Sequence, residues 1–508
     1  MTKRKKIKVH LTRTSLPPAL LEEALSEINY KVDIVESSFL LAAHSKVKYD
    51  LLWCGCETDD ALPATFQNRI PAIKFVCRKG PLCQLVNLMQ DLFPGEFEFM
   101  PLSWPIPTHY AEFCHYAFTL KESLKRNKYY ILKPDEGSQG DGIYIFKSPT
   151  DITQGTLSRN SVVQTYIHNP LLIDNFKFDL RLYVLIAKLD PLEAYICKEG
   201  LARFCTEKYE KPSHKNIGKA YMHLTNYSLN KYSAEFDRSE QDNLGSKRTV
   251  TSVMKTLKMS GHDTDKIWSR IEDVVFKTLI CIAPLTKVEQ LNIENFQVNT
   301  SQYFHLLGFD ILIDESLNPF LLEINGFPSM RTDSEIYDSL MNKTTIPSPV
   351  DQKVKKIALK GALHILLKNC TDDTYCPIIQ APDLTEDKKR YLIFEDCCQL
   401  FTLFIKRSSL RKGSLLGSSG FRSFVRTCKV LEIVKGVTYA DMDLLYINIC
   451  QQSDSANGKC LSFVSFYRIL LTLSNKMFPE DTLYHGLRKF LDSCFSNYSE
   501  TMKILVVK

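Results

Sequence analysis

The chain has 508 residues, 44% hydrophobic and 24% charged, with a net charge of +6. That composition excludes a disordered polymer and supplies apolar material for about three globular domains of ~150 residues each. The basic balance is too mild to imply an acidic partner without local clusters, and no apolar run reaches the ~18 residues of a membrane span.

In chain order, "MTKRKKIKVHL" is basic but leads into no apolar stretch, which excludes a secretory signal. The Lys3–Lys8 cluster reads as a solvated tail. "IKVHL", "YKVDIV" and "YDLLWC" read as short strands, and "LPPALLEEALSEI" as a helix starting after its prolines. "RKGPLCQLVNLMQDLFPG" places Leu82, Leu85, Val86, Met89 and Phe93 at helical spacing. The Pro-rich "MPLSWPIPTHY" reads as a connector, 128–190 as strand-rich, and 234–248 as a polar, mobile loop. "DKIWSRIEDVVFKTLICIAPL" reads as a helix, 303–325 as two strands, and "DQKVKKIALKGALHILLK" as a helix after Pro347 and Pro349. Residues 369–390 are polar with two prolines and read as linker, and 391–508 is helical in pattern. The sixteen cysteines are scattered, and neither Cys54/Cys56 nor Cys397/Cys398 has a zinc spacing. They read as reduced, mostly buried thiols of a cytosolic protein.

Three segments carry residues suited to chemistry. "YILKPDEGSQGDGIYIF" is strand, glycine-rich loop, strand: Gly137, Gly140 and Gly142 let backbone N–H groups approach phosphate oxygens, and Lys133 lies just upstream. No helix is due after it, so it is neither a P-loop nor a dinucleotide fingerprint. "KFDLRLYVLI" alternates, with Lys177, Asp179, Arg181 and Tyr183 on one face. That face is either a solvated row of self-neutralising charge or the wall of an anion site. "FDILIDESLNPFLLEIN" reads as two apolar strands about a turn. Antiparallel pairing sets Asp310 opposite Glu323, with Asn325 on the same face. These are hard oxygen donors that suit Mg²⁺ beside phosphates, and two acids buried without a cation would be costly.

The ordered series "KPDEGSQGDGI", "VVQTYIHNPLLID…KFDLRLYVL", "ARFCTEKY", "MHLTNYS", "GSKR", "LLGFDILID" and "LLEINGFPSM" resembles the tubulin-tyrosine-ligase-like family, most of all its polyglutamylase branch. "NRIPAIKFVCRKGPL…LFP" resembles that family's N-terminal region, so the likeness covers about 50–366. It implies an α/β (α+β) class chain with an ATP-grasp fold. The expected division is an N-terminal α/β domain at 1–75, a central subdomain with the glycine-rich loop at 76–175, and a catalytic subdomain at 176–366. A linker at 367–390 and a mainly helical module at 391–508 follow.

The resemblance also implies roles. Lys133, Gly137, Ser138, Gln139, Gly140, Gly142, the segment Gln164, Thr165, Tyr166, Ile167, and Lys177 with Asp179 would bind ATP. Lys177, Arg181 and Arg203 would be catalytic, and Arg203, Thr225 and Asn226 would meet the amino-acid substrate. Asp310, Glu323 and Asn325 would hold Mg²⁺; Gly326 and Phe327, just after them, bear on which tail site is modified. The implied reaction joins free L-glutamate to tubulin's acidic C-terminal tails through an acyl-phosphate. Glycine or tyrosine ligation, or an idle microtubule binder, are the alternatives. The implied setting is a monomer of cytoplasm and cytoskeleton, including cilium, axoneme or basal body, with no membrane or nucleic-acid partner. Residues 397–431 contain no Asp or Glu but carry Lys406, Arg407, Arg411, Lys412, Arg422, Arg426 and Lys429, which reads as a basic face for microtubules.

Overall fold

The structure is a computed structural model that describes residues 4–37, 48–56, 64–124, 128–135, 137, 140–239, 241–293, 303–337, 343–368, 370, 373–380, 384–405, 413–452 and 459–506. The chain divides into two compact units. The first comprises Met1–Gln84, Phe99–Phe276 and Asn299–Asp383, and the second Leu85–Glu98, Lys277–Val298 and Leu384–Lys508.

The first unit opens with a parallel sheet. Strands β1 (Lys5–Thr12), β2 (Tyr30–Ser37), β3 (Tyr49–Cys54) and β4 (Ala64–Gln67) lie in the order β2-β1-β3-β4. The helix Pro18–Glu27 begins with proline in its first turn and buries Leu20, Leu21, Ala24 and Leu25 on one stripe. Much of the basic cluster expected as a tail belongs to β1: Lys5, Lys6 and Lys8 pair with β2, because alternate Ile7, Val9 and Leu11 are buried and carry the strand inward.

A second sheet joins β5 (Ser103–Ile106), β6 (Tyr130–Pro134), β7 (Tyr144–Phe146) and β8 (Ser161–Thr165) in the order β5-β8-β6-β7. The Pro-rich stretch expected as a connector is therefore strand β5. It lies at the sheet edge, where Pro105 costs no ladder bond on its free side. Trp104 anchors it among Phe113, Tyr130 and Phe146. The helix Tyr110–Leu124 that follows had no counterpart in the sequence reading.

The third sheet is built on a long hairpin, β10 (Phe176–Leu189) and β11 (Leu192–Phe204), after the short β9 (Leu172–Ile173). With β12 (Lys247–Thr249), β13 (His305–Ile313) and β14 (Pro319–Asn325) it runs β12-β11-β10-β13-β14. Next in the chain come the hairpin β15 (Asp333–Tyr337) and β16 (Lys343–Pro347), then β17 (Tyr375–Gln380), which pairs with β11. Strand β17 lies inside the expected linker. Tyr375 and Ile379 are buried there, and the Tyr375 hydroxyl donates to Ala358 O at 2.8 Å. The polar stretch 234–248 is folded where described: Ser246 N–H donates to Asp237 O at 3.0 Å, and the stretch ends in β12.

The second unit is helical. Helices Ile393–Ile405 and Ser418–Thr427 form one helix–loop–helix, and Tyr439–Gln452 and Phe463–Met477 another. An antiparallel bridge joins their loops, with Leu416 and Leu461 exchanging N–H···O bonds of 2.8 and 2.9 Å. Phe394, Phe401, Phe404, Phe421, Phe424 and Phe466 fill the interior. All sixteen cysteines are free thiols.

Candidate active site

Strand β10 sits between β11 and β13, and its register sets charge against charge. Asp179 stands opposite Arg203 on β11, and Arg181 opposite Asp310 on β13. Residues directly opposite share a face and touch. Arg203 accordingly grips Asp179 with Nε at 2.7 Å and Nη2 at 2.6 Å. Arg181 binds Asp310 through Nε and, at 2.9 Å, Nη2. Arg203 Nη2 also reaches Asp310 Oδ2 at 2.8 Å, closing a four-residue network. Thr225 Oγ1 adds a bond to Asp179 at 2.6 Å. Asp179 and Asp310 are each 1% exposed, so the solvated-row reading of this face is excluded.

The network is electrostatically self-consistent. Burial by itself would raise the Asp310 carboxyl, but the charges and hydrogen bonds of Arg181 and Arg203 outweigh it and hold it well below the carboxylate range. Burial would likewise lower Arg203, and the charges of Asp179 and Asp310 drive it upward instead. Each guanidinium uses Nε and Nη2 in these pairs.

Two buried ammonium groups stand beside the network. Lys177 donates to His223 O at 2.8 Å and Tyr166 Oη at 3.1 Å. Lys133, on β6, reaches Leu322 O at 3.4 Å. Burial pushes both down to about 8, because a dry site disfavours the charged form. His223 is pushed to about 4 by burial and by the Lys177 charge.

Apart from Arg181, which lines neither, these side chains border one of two cavities. The smaller, about 70 Å³, is lined by Lys133, Gln164 to Ile167, Lys177, Asp179, Arg203 and Asp310. Gln164 donates to Ser103 Oγ at 2.8 Å, while its buried Oε1 has no partner. The larger, about 490 Å³, is lined by Gly137, Gly140, Glu323 and Asn325. Thr225 lines the smaller, and Asn226 and Glu323 line both. Gly140 has φ +84°, and a Cβ there would fall 2.6 Å from Leu229 Cδ1, so only glycine fits. Gly142 also has positive φ, +70°, but shapes the loop without lining either cavity. Ser138 and Gln139 lie outside the described residues, as do Lys406, Arg407, Arg411 and Lys412.

The larger cavity adds a cationic wall that the sequence reading missed: Lys74, Arg78 and Lys79. Lys79 pairs with Glu323 at 3.3 Å. The signal was there in "IKFVCRKG", three cations without an acid, but nothing local says that it meets β14.

Asp310 does stand opposite Glu323, and Asn325 opposite Gly308, so the three oxygen donors share a face. The two acids are not left without countercharge. Asp310 is neutralised by Arg181 and Arg203, and Glu323, with a side chain 25% exposed, by Lys79. Among the described residues no cluster of three His, Cys, Asp or Glu side chains forms a metal site. Asn325 Nδ2 lies 3.4 Å from Asp310 Oδ2.

In the helical unit, Arg422 is paired with Asp443 at 2.8 Å and Lys429 with Glu500 at 3.3 Å, while Arg426 is exposed. Two of the three described cations of 397–431 thus meet acids on helices outside that stretch.

A sheet face of paired guanidinium and carboxylate is bordered here by buried ammonium groups and a glycine loop, a chemistry that suits polyanions. Residues 59–347 match the model of the tubulin-tyrosine ligase family, and the chain belongs to that family. Residues 382–506 match a second model, described as "Tubulin polyglutamylase TTLL11, EF-hand", which agrees with the bridged pair of helix–loop–helix units. The chain is similar to human tubulin polyglutamylase TTLL11, 37% identical over 491 residues, covering 88% of this chain and 68% of that protein. The mouse protein of the same name is 34% identical over 527 residues, covering 88% and 71%. Zebrafish tubulin polyglutamylase ttll6 is 41% identical over 283 residues, covering 55% and 35%.

Proposed function

We propose that this chain is an ATP-dependent tubulin polyglutamylase with an ATP-grasp fold, joining glutamate to the acidic C-terminal tails of tubulin. One observation carries the reading: two buried ammonium groups, Lys133 and Lys177, line one cavity, where burial outweighs the nearby carboxylates and lowers both, beside a larger cavity walled by Lys74, Arg78 and Lys79. Phosphate oxygens would relieve the burial penalty that depresses both lysines.

The residues fit ATP. The unpartnered Gln164 Oε1 is an acceptor suited to a purine amino group, and the Gly137–Gly142 loop to phosphate oxygens. They also fit Mg²⁺, which takes one or two carboxylates and keeps substrate phosphates as further ligands. Glu323 and Asn325 would hold it with Asp310, each carboxylate loosening its present cation. ATP, with Mg²⁺ on its phosphates, would supply the γ-phosphoryl group that activates the acceptor carboxylate as an acyl-phosphate with ADP leaving, and attack by the glutamate amine would then form the amide and release phosphate. Lys177, Arg181 and Arg203 hold the charge that develops on the transferring and carbonyl oxygens. Arg203, Thr225 and Asn226 receive the incoming glutamate. Lys74 and Arg78 give an acidic tail a cationic approach.

The relatives' shared description favours glutamate over glycine or tyrosine, and the intact charged face argues against an idle binder. We further read the chain as a monomer of the cytoplasm and cytoskeleton, including the cilium, without membrane or nucleic-acid partners. No described helix is long and apolar enough to cross a membrane. Arg422, Arg426 and Lys429 with Lys406, Arg407, Arg411 and Lys412 would contact microtubules.

The test supplies purified protein with Mg-ATP, microtubules and labelled glutamate, glycine or tyrosine, reading intact tubulin mass. Steps of one glutamate are expected, and Glu323→Gln should abolish them while leaving the circular dichroism and Tm unchanged. No incorporation of any amino acid, with microtubule binding retained, would overturn the reading in favour of the idle binder.

A further inference from the structure

His305 opens β13 with its ring 1% exposed. Its Nδ1 lies 3.2 Å from Ile70 N, and its Nε2 faces Gly326 O. An amide N–H only donates and a carbonyl only accepts, so the neighbours fix the tautomer: Nδ1 accepts from Ile70, and Nε2–H donates to Gly326. Burial pushes the ring down to about 4, so it stays neutral at physiological pH. The Phe327 ring packs on it edgewise at 5.1 Å.

The two partners lead to opposite walls of the larger cavity. Ile70 precedes the helix Ile73–Val76, which carries Lys74 and is followed by Arg78 and Lys79. Gly326 directly follows Asn325, with Glu323 two residues earlier. The walls touch nearby, since a Cβ at Gly326 would lie 3.6 Å from Lys74 Cα. Phe304 N–H donates to Gln67 O at 2.8 Å, so the joint is seated on backbone as well. A buried, satisfied histidine is commonly no more than core. This one bonds to both walls, at the turn where Asn325 leaves β14.

We propose that His305 is a positioning residue for the ligase reaction, its neutral ring clamping the cationic wall at 70–79 to the 323–326 wall and setting the distance between acceptor and phosphate. The proposal rests on the ligase reading above.

Two half-replacements separate the bonds. His305→Asn keeps an acceptor at the Nδ1 position and loses the bond to Gly326. His305→Gln keeps a donor at the Nε2 position and loses the bond to Ile70. With the full chain and microtubules, His305→Asn is expected to lower kcat about tenfold with the acceptor KM unchanged, because Asn325 and Glu323 shift. His305→Gln is expected to raise the acceptor KM about tenfold with kcat unchanged. A lower Tm in both variants, with kcat and KM as in wild type, overturns the clamp and leaves a core residue. Binding of a fluorescent ADP analogue without acceptor is measured alongside: His305→Asn should weaken it several-fold, and His305→Gln should not. Equal affinities in all three proteins also overturn the clamp. Wild type that incorporates no glutamate breaks the ligase reading instead, and the clamp is then decided by the nucleotide affinities.

Discussion

The charged face of β10, β11 and β13 and the cationic stretch 397–431 look alike as strings of letters: both set several cations close together. In the fold they are opposites. On the sheet, each charge finds its complement one strand away and out of water: Arg203 on Asp179, Arg181 on Asp310. On the helices, Arg422 and Lys429 meet Asp443 and Glu500 in the open, with the Arg422 side chain 62% exposed. The first arrangement excludes solvent and makes every member indispensable to the others. The second is screened and interchangeable. Local charge counts therefore say little; the partner on the neighbouring element and the water around it decide what a charge is for.

The largest break in this comparison is Asp310→Asn. It leaves the buried Arg181 guanidinium against a neutral amide while Arg203 keeps Asp179, and a loss of about 3–5 kcal/mol is expected in denaturant unfolding. Asp443→Asn should leave the urea midpoint unchanged. Acid sharpens the contrast. Because the folded Asp310 carboxyl is held below its unfolded value of 3.8, its stabilisation is complete above that value and is lost as pH falls below it. Unfolding of wild type between pH 5 and 2 (roughly the window of that titration) should steepen, and Asp310→Asn should flatten the curve.

Alkaline pH probes the same region with the opposite sign. Lys133 and Lys177 sit at about 8 when folded, against 10.5 unfolded. Their charged forms weaken the fold below pH 8, and that penalty is relieved as pH climbs toward 10.5. Function runs the other way: kcat/KM, which reports the free enzyme, should fall as pH rises above about 8 while Tm does not.

On the helical side the expected effects are smaller. Asp443→Asn frees Arg422 and should tighten microtubule co-sedimentation a few-fold at low salt, an effect of roughly the size that surface charges give and that is gone at high salt. Unchanged binding at both salt concentrations would remove Arg422 from the contact. The smallest effect concerns calcium. A calcium-binding EF-hand loop presents several carboxylates, ending in a bidentate Glu. Residues 406–420 contain no Asp or Glu, and 453–465 contain only Asp454. Calcium or its chelator should leave Tm and ligation rate unchanged, and a calcium-dependent shift in either would show ligands that the loops lack.

Much was legible before any tertiary structure. Period-two alternation marked β10, a short apolar-rich run marked β1, two apolar runs marked β13 and β14, and the turn "ESLNP" between them gave the register that sets Asp310 opposite Glu323. The helix Pro18–Glu27 announced itself by proline and leucine spacing. These are local properties, set by which side chains share a face of one element or of one hairpin. What the sequence left open was long-range. Strand β5 hid in a Pro-rich stretch because an edge strand tolerates proline, and β17 hid in a polar one because a single buried edge suffices to dock it on β11. The guanidinium groups that flank Asp310, Arg181 and Arg203, come from strands more than 100 residues away in sequence, and nothing local to 309–325 announces them. Lys74, Arg78 and His305 became site residues only when 70–79 was brought against β14. Local periodicity specifies the elements; which charges compensate one another is decided only by the register and docking of elements far apart in the chain.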